Sequence, residues 1–444
     1  MKILWVKAGK LLPVDTGGKI RSYNLLRQLI AARHETVLLS YYGGARDEAY
    51  EAEIEKHLPG ALTIHTAAPD TTTLERSLHY LRCLPLAAPF AVAKFTSPKV
   101  ARTIAAWDRE RRFDVVVCDF LAASLNFPRT LATPSVLFQH NVESILWQRQ
   151  AEHEPHPVKR LVFKLEAAKM LHYERATVKR FDHIIAVSDN DREQMSEMTD
   201  AARISVVPTG VDLQLYRAAA TTAKTTAPPD LEHHAHVNVD EKFGGEKSPT
   251  SPQPLIVFLG SMDWEANIDG VDYFCREIFP QVRAAVPEAR FRIVGRKPHA
   301  RVLKLASDSV EVTGTVPSVI EHLQEATVFI VPLRVGGGTR LKIYEAMAVG
   351  KAIVSTTIGA EGLDVHHGQD IILADDPQGF ADAVVKLVRD ESERRRLEKA
   401  AARLAAQYDW PIIARRFEET LARVAQESAR KRHDVPANRR SVEV

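Results

Sequence analysis

Cysteine is scarce in this chain. The three that occur in 444 residues, Cys83, Cys118 and Cys275, stand at spacings that match no zinc or dithiol motif. That excludes a disulfide scaffold and predicts three core thiols in a reducing compartment. Long apolar runs are also missing. No window approaches the roughly 18 unbroken apolar residues of a spanning helix, so any membrane contact is expected to be peripheral. The opening MKILWV is too short for a secretory h-region and reads as a first strand. Nor does one sign of charge dominate, since 59 Lys and Arg face 57 Asp and Glu. Bulk nucleic-acid binding is therefore not expected, and an anion site would have to be a local cluster.

What is present is an ordinary globular composition, 45% hydrophobic and 26% charged, in a chain long enough for two domains. The first half alternates β-branched runs with amphipathic helical patterns, the signature of a parallel sheet covered by helices. KILWV, ETVLLSYY, ALTIHTA, FDVVVCDF, PSVLFQH and FDHIIAVS are its expected strands. A Gly17-Gly18 turn is expected between the first strand and a helix carrying Leu25, Leu26, Leu29 and Ile30. The second half restarts the pattern with PLIVFLG, ARFRIVG, VEVTG, TVFIVPL, AIVST and DIILA. Asp376 and Pro377 supply a helix cap and first-turn residue.

These patterns predict an α/β protein of two Rossmann-like domains, 1–216 and 254–408. A low-complexity linker with an insertion is expected over 217–253, a C-terminal helix over 409–427 packing back toward the N-terminal domain, and a flexible tail over 428–444. His233, His234 and His236 fall in the polar tract, where nothing would orient metal ligands.

The strongest site signal is VPLRVGGGTRLKIYEAMAVGKAIVST, read as strand, glycine loop, helix and strand. Gly336, Gly337 and Gly338 let backbone approach a ligand, and the following helix aims its unpaired amides there. Arg340 and Lys342 fall in the first helical turn, where the dipole disfavours cations unless an anion is bound. The competing reading pairs Lys342 with Glu345 on a solvated face. PVDTGGKIR lacks the spacing of a dinucleotide fingerprint or a P-loop, so NAD binding and ATP hydrolysis are not supported. His140 and Asn141 lie just past a strand end, where ligands sit in open sheets. Asp189-Asn190-Asp191 is expected to cap a helix rather than bind metal.

The stretches TGGKIRSYNLL, FQHNVES, VPTGVD, FLGSMDWEANIDG and PLRVGGGTRLKIYEAMAVGKAIVSTTIGAEGL resemble glycosyltransferase family 4, the retaining GT-B enzymes, and especially sugar transferases of bacterial exopolysaccharide systems. The resemblance implies two Rossmann-like domains facing a central cleft. It implies a nucleoside-diphosphate-sugar donor, no further cofactor, a glycan or lipid-linked acceptor, and a cytoplasmic enzyme, with peripheral contact at the inner face of the membrane left open.

It further implies that Glu345 contacts the donor ribose and His140 the transferred sugar, while Glu361 and the Gly362-Leu363 backbone hold nucleotide or sugar. Gly17 and Gly18 would face diphosphate and acceptor, with Arg21 assisting. Of the family's two glutamates, the first is replaced by Gly337, which makes the amides of Gly336 to Thr339 candidates for its sugar contact. The family's basic pair is absent, Ser261, Met262 and Asn267 standing there instead. The diphosphate then falls to Arg340 and Lys342, aided by Arg296, without a metal. A GT-B sugar-nucleotide epimerase and a noncatalytic sugar-nucleotide-binding protein remain as alternatives.

Overall fold

A computed structural model describes residues 1–66, 79–216, 253–335 and 340–433. Gly336, Gly337, Gly338 and Thr339, and the histidines of the polar tract, lie outside them. The described chain divides into two compact units, Met1–Gly210 with the chain from Tyr408 on, and Val211 to Gln407. The segment ending at Tyr216, expected in the first domain, therefore belongs to the second.

The first unit is built on seven parallel strands, β1 (Lys2–Ala8), β2 (Glu35–Tyr42), β3 (Leu62–His65), β4 (Val115–Asp119), β5 (Ser135–Phe138), β6 (His183–Ala186) and β7 (Ile204–Val206). Their order is β3-β2-β1-β4-β5-β6-β7. The central strands are continuous apolar runs because helices cover both faces: Ile3, Leu4, Trp5 and Val6 are all buried. Helix α1 (Gly17–Ala31) turns Leu25, Leu26 and Leu29 inward. It begins at Gly17, so the expected Gly17-Gly18 turn is instead its first turn.

Helices α2 (Glu143–His153) and α3 (Pro157–Val178) pack on each other. Helix α4 (Asp189–Ser196) is capped by Ser188 Oγ, which accepts from the Asp191 amide at 3.0 Å. The cap is thus the serine before the Asp-Asn-Asp run rather than an aspartate.

The second unit has six parallel strands, β8 (Leu255–Leu259), β9 (Arg290–Val294), β10 (Val310–Gly314), β11 (Val328–Val331), β12 (Ile353–Ser355) and β13 (Ile372–Leu373), in the order β10-β9-β8-β11-β12-β13. Helices α5 (Glu265–Tyr273) and α6 (Leu341–Ala348) follow β8 and β11. Helix α7 (Pro377–Arg389) starts at Asp376, whose carboxylate accepts from the Gly379 amide at 2.8 Å.

The last helix, α8 (Trp410–His433), extends beyond the expected end at 427, so 428–433 are helical rather than tail. It lies in the first unit, with Phe417 at 5.4 Å from Trp5 and 5.1 Å from Phe138, ring centre to ring centre. Cys83 and Cys118 are buried as expected, while Cys275 is only partly buried.

Candidate active site

Each unit gathers charged side chains beyond the carboxyl ends of its central strands, the place where open parallel sheets bind ligands. In the first unit the hub is Asp119 at the end of β4. Its Oδ2 accepts from Lys7 Nζ (2.9 Å) on β1, Ser22 Oγ (2.6 Å) on α1 and Trp5 Nε1 (2.9 Å). Its Oδ1 lies 2.8 Å from His140 Nε2, two residues past β5. All of these groups are buried. Burial alone would raise the Asp119 carboxyl, but Lys7, His140 and Ser22 outweigh it and hold the group well below the usual carboxylate range.

Burial pushes His140 down to about 4 against the opposing pull of Asp119, so the ring is neutral at neutral pH. With a carboxylate facing Nε2, the proton belongs on that nitrogen, which leaves Nδ1 as an acceptor. Nδ1 faces Gly18: a Cβ added there would lie 3.1 Å from it. Glycine at position 18 keeps the space before that nitrogen open.

Arg21, on α1 after the two glycines, is not solvated. It is 3% exposed and its Nε donates to Thr209 Oγ1 at 2.7 Å. Burial lowers its pKa to about 10, opposed by Asp191 and Asp119.

In the second unit Arg340 occupies the N-cap of α6 and Lys342 its first turn. The solvated Lys342–Glu345 pair is not what forms. Lys342 Nζ donates to Asn267 Oδ1 at 2.9 Å and sits 4.1 Å from the centre of the Phe258 ring. Burial, and then Arg340, push its ammonium well below the ordinary lysine range, with Glu345 opposing. Asn267, one of the residues standing where the basic pair would be, thus becomes the anchor of the lysine. A Cβ at Gly260 would meet Asn267 Nδ2 at 2.7 Å and Lys342 Nζ at 3.0 Å, so only glycine allows this approach.

Arg340 is buried, its guanidinium 5.4 Å from the Trp264 ring centre. Glu345 faces Tyr216; burial raises the Glu345 carboxyl, with Tyr216 and Lys342 opposing. Arg296 Nε donates to Ser261 Oγ at 3.0 Å in the loop after β8. Glu361, Gly362 and Leu363 form a turn after β12, with Gly362 at φ 78°. The Leu363 amide already donates to Ala360 O at 3.2 Å, so of that pair the Gly362 amide is the better placed to serve a ligand.

The structure therefore brings Arg340, Lys342 and Glu345 together at one helix start, and His140 beside Gly18 in the other unit. Sequence reading missed Asp119, Lys7 and Ser22 as the support of His140, and Tyr216 as the partner of Glu345. A carboxylate ending the buried run VVVCD was the available signal for the first. Tyr216 contributes to its cluster through the fold alone.

Residues 16–215 match the family described as Glycosyltransferase Family 4, and residues 253–390 match the family described as Glycosyl transferases group 1. The chain is 20% identical over 402 residues to an uncharacterized 44.6 kDa protein in the cps region of Klebsiella pneumoniae, covering 88% of this chain and 92% of that one. It is 26% identical over 195 residues to the N,N'-diacetylbacillosaminyl-diphospho-undecaprenol alpha-1,3-N-acetylgalactosaminyltransferase of Campylobacter jejuni, covering 43% and 47%. Anabaena HepE in complex with UDP-glucose superimposes with a TM-score of 0.59 at 14% identity, over 95% of this chain and 99% of that one.

Proposed function

Because the chain belongs to glycosyltransferase family 4 and has the two-domain GT-B fold, we propose that it transfers a hexose-type sugar from a nucleoside diphosphate to a glycan or lipid-linked acceptor, with retention at the anomeric carbon. The reading places it in exopolysaccharide or another cell-surface glycan synthesis, in the cytoplasm and peripherally at the inner face of the membrane. The Klebsiella relative from a cps region and the Campylobacter enzyme named for a diphospho-undecaprenol substrate support that setting.

The observation that carries the donor assignment is the helix start of α6. A buried arginine, a desolvated lysine and a partly buried glutamate converge there beyond a strand end. A dehydrated ammonium beside a guanidinium is costly until an anion arrives. A diphosphate supplies that anion, and Glu345 accepts from ribose hydroxyls.

As the bond from the anomeric carbon to the diphosphate breaks, charge grows on the leaving group, and Arg340, Lys342 and the α6 amides stabilise it without a divalent metal. His140, kept neutral by burial and oriented by Asp119, contacts the sugar. Replacing Glu345 by Gln should weaken binding of donor and free nucleotide by about 1–3 kcal/mol in titration calorimetry. Unchanged affinity for both would remove the ribose role.

A further inference from the structure

We propose that the outer face of α3 is a docking surface for a bilayer carrying anionic lipid. This deepens the peripheral placement above by naming the surface and the lipid chemistry, and it rests on observations independent of the transfer reaction. Val158, Leu161 and Leu165 are 64%, 70% and 45% exposed. They are three and four residues apart, which sets them in one stripe along the helix. The segment holding Cys83 and Leu84 is tied to α3 by Lys169 Nζ, which donates to their carbonyls at 3.1 and 3.3 Å. Leu81 and Leu86 of that segment are exposed too. These five are nearly half of the eleven large hydrophobic side chains exposed among the described residues, so they form a concentration rather than the scatter normal on a surface.

Charge on the helix is sorted in the same direction. Lys159, Arg160, Lys164 and Arg175 are exposed, whereas both glutamates of α3 are buried and occupied. Glu166 accepts from the Phe90 amide at 2.7 Å. Glu174 accepts from Gln139 Nε2, the Glu143 and Ser144 amides, each at 3.0 Å, and from Ser144 Oγ at 2.6 Å. With its own acids consumed inside, α3 presents outward an aliphatic stripe with Lys159, Arg160 and Lys164 beside it, while Lys164 and Arg175 also border a pocket that holds Glu152 and Glu197 of the neighbouring elements. Acidic groups alone would answer the bases and leave the aliphatic stripe wet. Anionic lipid answers both, because headgroups take the cations while the side chains enter the acyl boundary and the lysine stems lie along it.

Flotation of the full chain with vesicles, in the absence of any sugar donor, tests the surface. Vesicles of phosphatidylcholine with about one-third phosphatidylglycerol should carry the protein, pure phosphatidylcholine should not, and raised salt should release it. The pair Leu161→Ser and Leu165→Ser, and separately the set Lys159→Ala, Arg160→Ala and Lys164→Ala, should each lower partitioning by about tenfold or more at unchanged melting temperature. Failure of the native chain to float, or flotation of the serine pair at native level, overturns the proposal. Binding to soluble polyglutamate as strong as to anionic vesicles would assign the face to an acidic protein and likewise overturn it. Loss of sugar transfer with flotation intact bears only on the proposed reaction.

Discussion

Asp119 shows how much one residue can organise. Its carboxylate neutralises Lys7 and fixes the His140 ring, and removing its charge strands an ammonium that is only 8% exposed. Breaking a buried pair in this way costs roughly 3–5 kcal/mol, so Asp119→Asn should lower stability in urea by about 3 kcal/mol at pH 7. Because the folded-state pKa is depressed, this contribution is present above the unfolded value of about 3.9 and is lost as pH falls below it. The gap between native and variant should narrow on acidification toward pH 3, and a constant gap would mean that packing rather than charge accounts for the loss.

Lys342 reverses the logic, since its charge is the expensive form until donor binds. Donor affinity should fall as pH rises through the depressed lysine pKa, because binding then requires proton uptake. Lys342→Met should abolish that dependence and slow transfer by roughly 10- to 1000-fold, as loss of one donor to the transition-state charge can. Transfer by the native enzyme should persist in excess chelator, and restoration by added metal after a chelator-induced loss would overturn the metal-free mechanism.

The elements themselves were largely legible, for a physical reason. Central strands of a covered parallel sheet are apolar on both faces, as VVVCD of β4 is, buried throughout, and the expected runs ETVLLSYY and VEVTG coincide with β2 and the edge strand β10 residue for residue. The short edge strand β7 escaped, because three residues carry too little pattern. Gly17 and Gly18 were misplaced because glycine reads as a turn, while here a helix starts on them and Gly18 leaves room for His140. Buried polar pairs are least legible, since their partners are far apart in sequence.

The α2–α3 pair holds such a case. Burial, and then Glu174, raise the Glu143 carboxyl to about 7. A folded pKa above the unfolded value means stability that is full below about 4.3 and lost as pH rises toward 7. Glu143→Gln should therefore be more stable than the native chain at pH 8, by on the order of 1–3 kcal/mol in chemical denaturation, with the advantage vanishing near pH 4. An advantage that is independent of pH would place the effect in packing instead.

At the scale of the molecule, the two units have separate sheets, and the chain returns to the first through α8. Glu345, Arg340 and Lys342, proposed to hold ribose and diphosphate, all belong to the second unit. Free nucleoside diphosphate should therefore stabilise that unit first, by about 2.7 kcal/mol at a hundred times its dissociation constant. Hydrogen exchange reads this directly, because slow amides report the opening of the unit that contains them. Peptides covering β8, β11 and α6 should slow on nucleotide addition, while those covering β1 and β4 should change little. In Glu345→Gln the slowing should shrink at equal nucleotide concentration. Protection confined to β1, β4 and α1 would move the nucleotide to the Asp119–His140 cluster and undo the assignment of the α6 start.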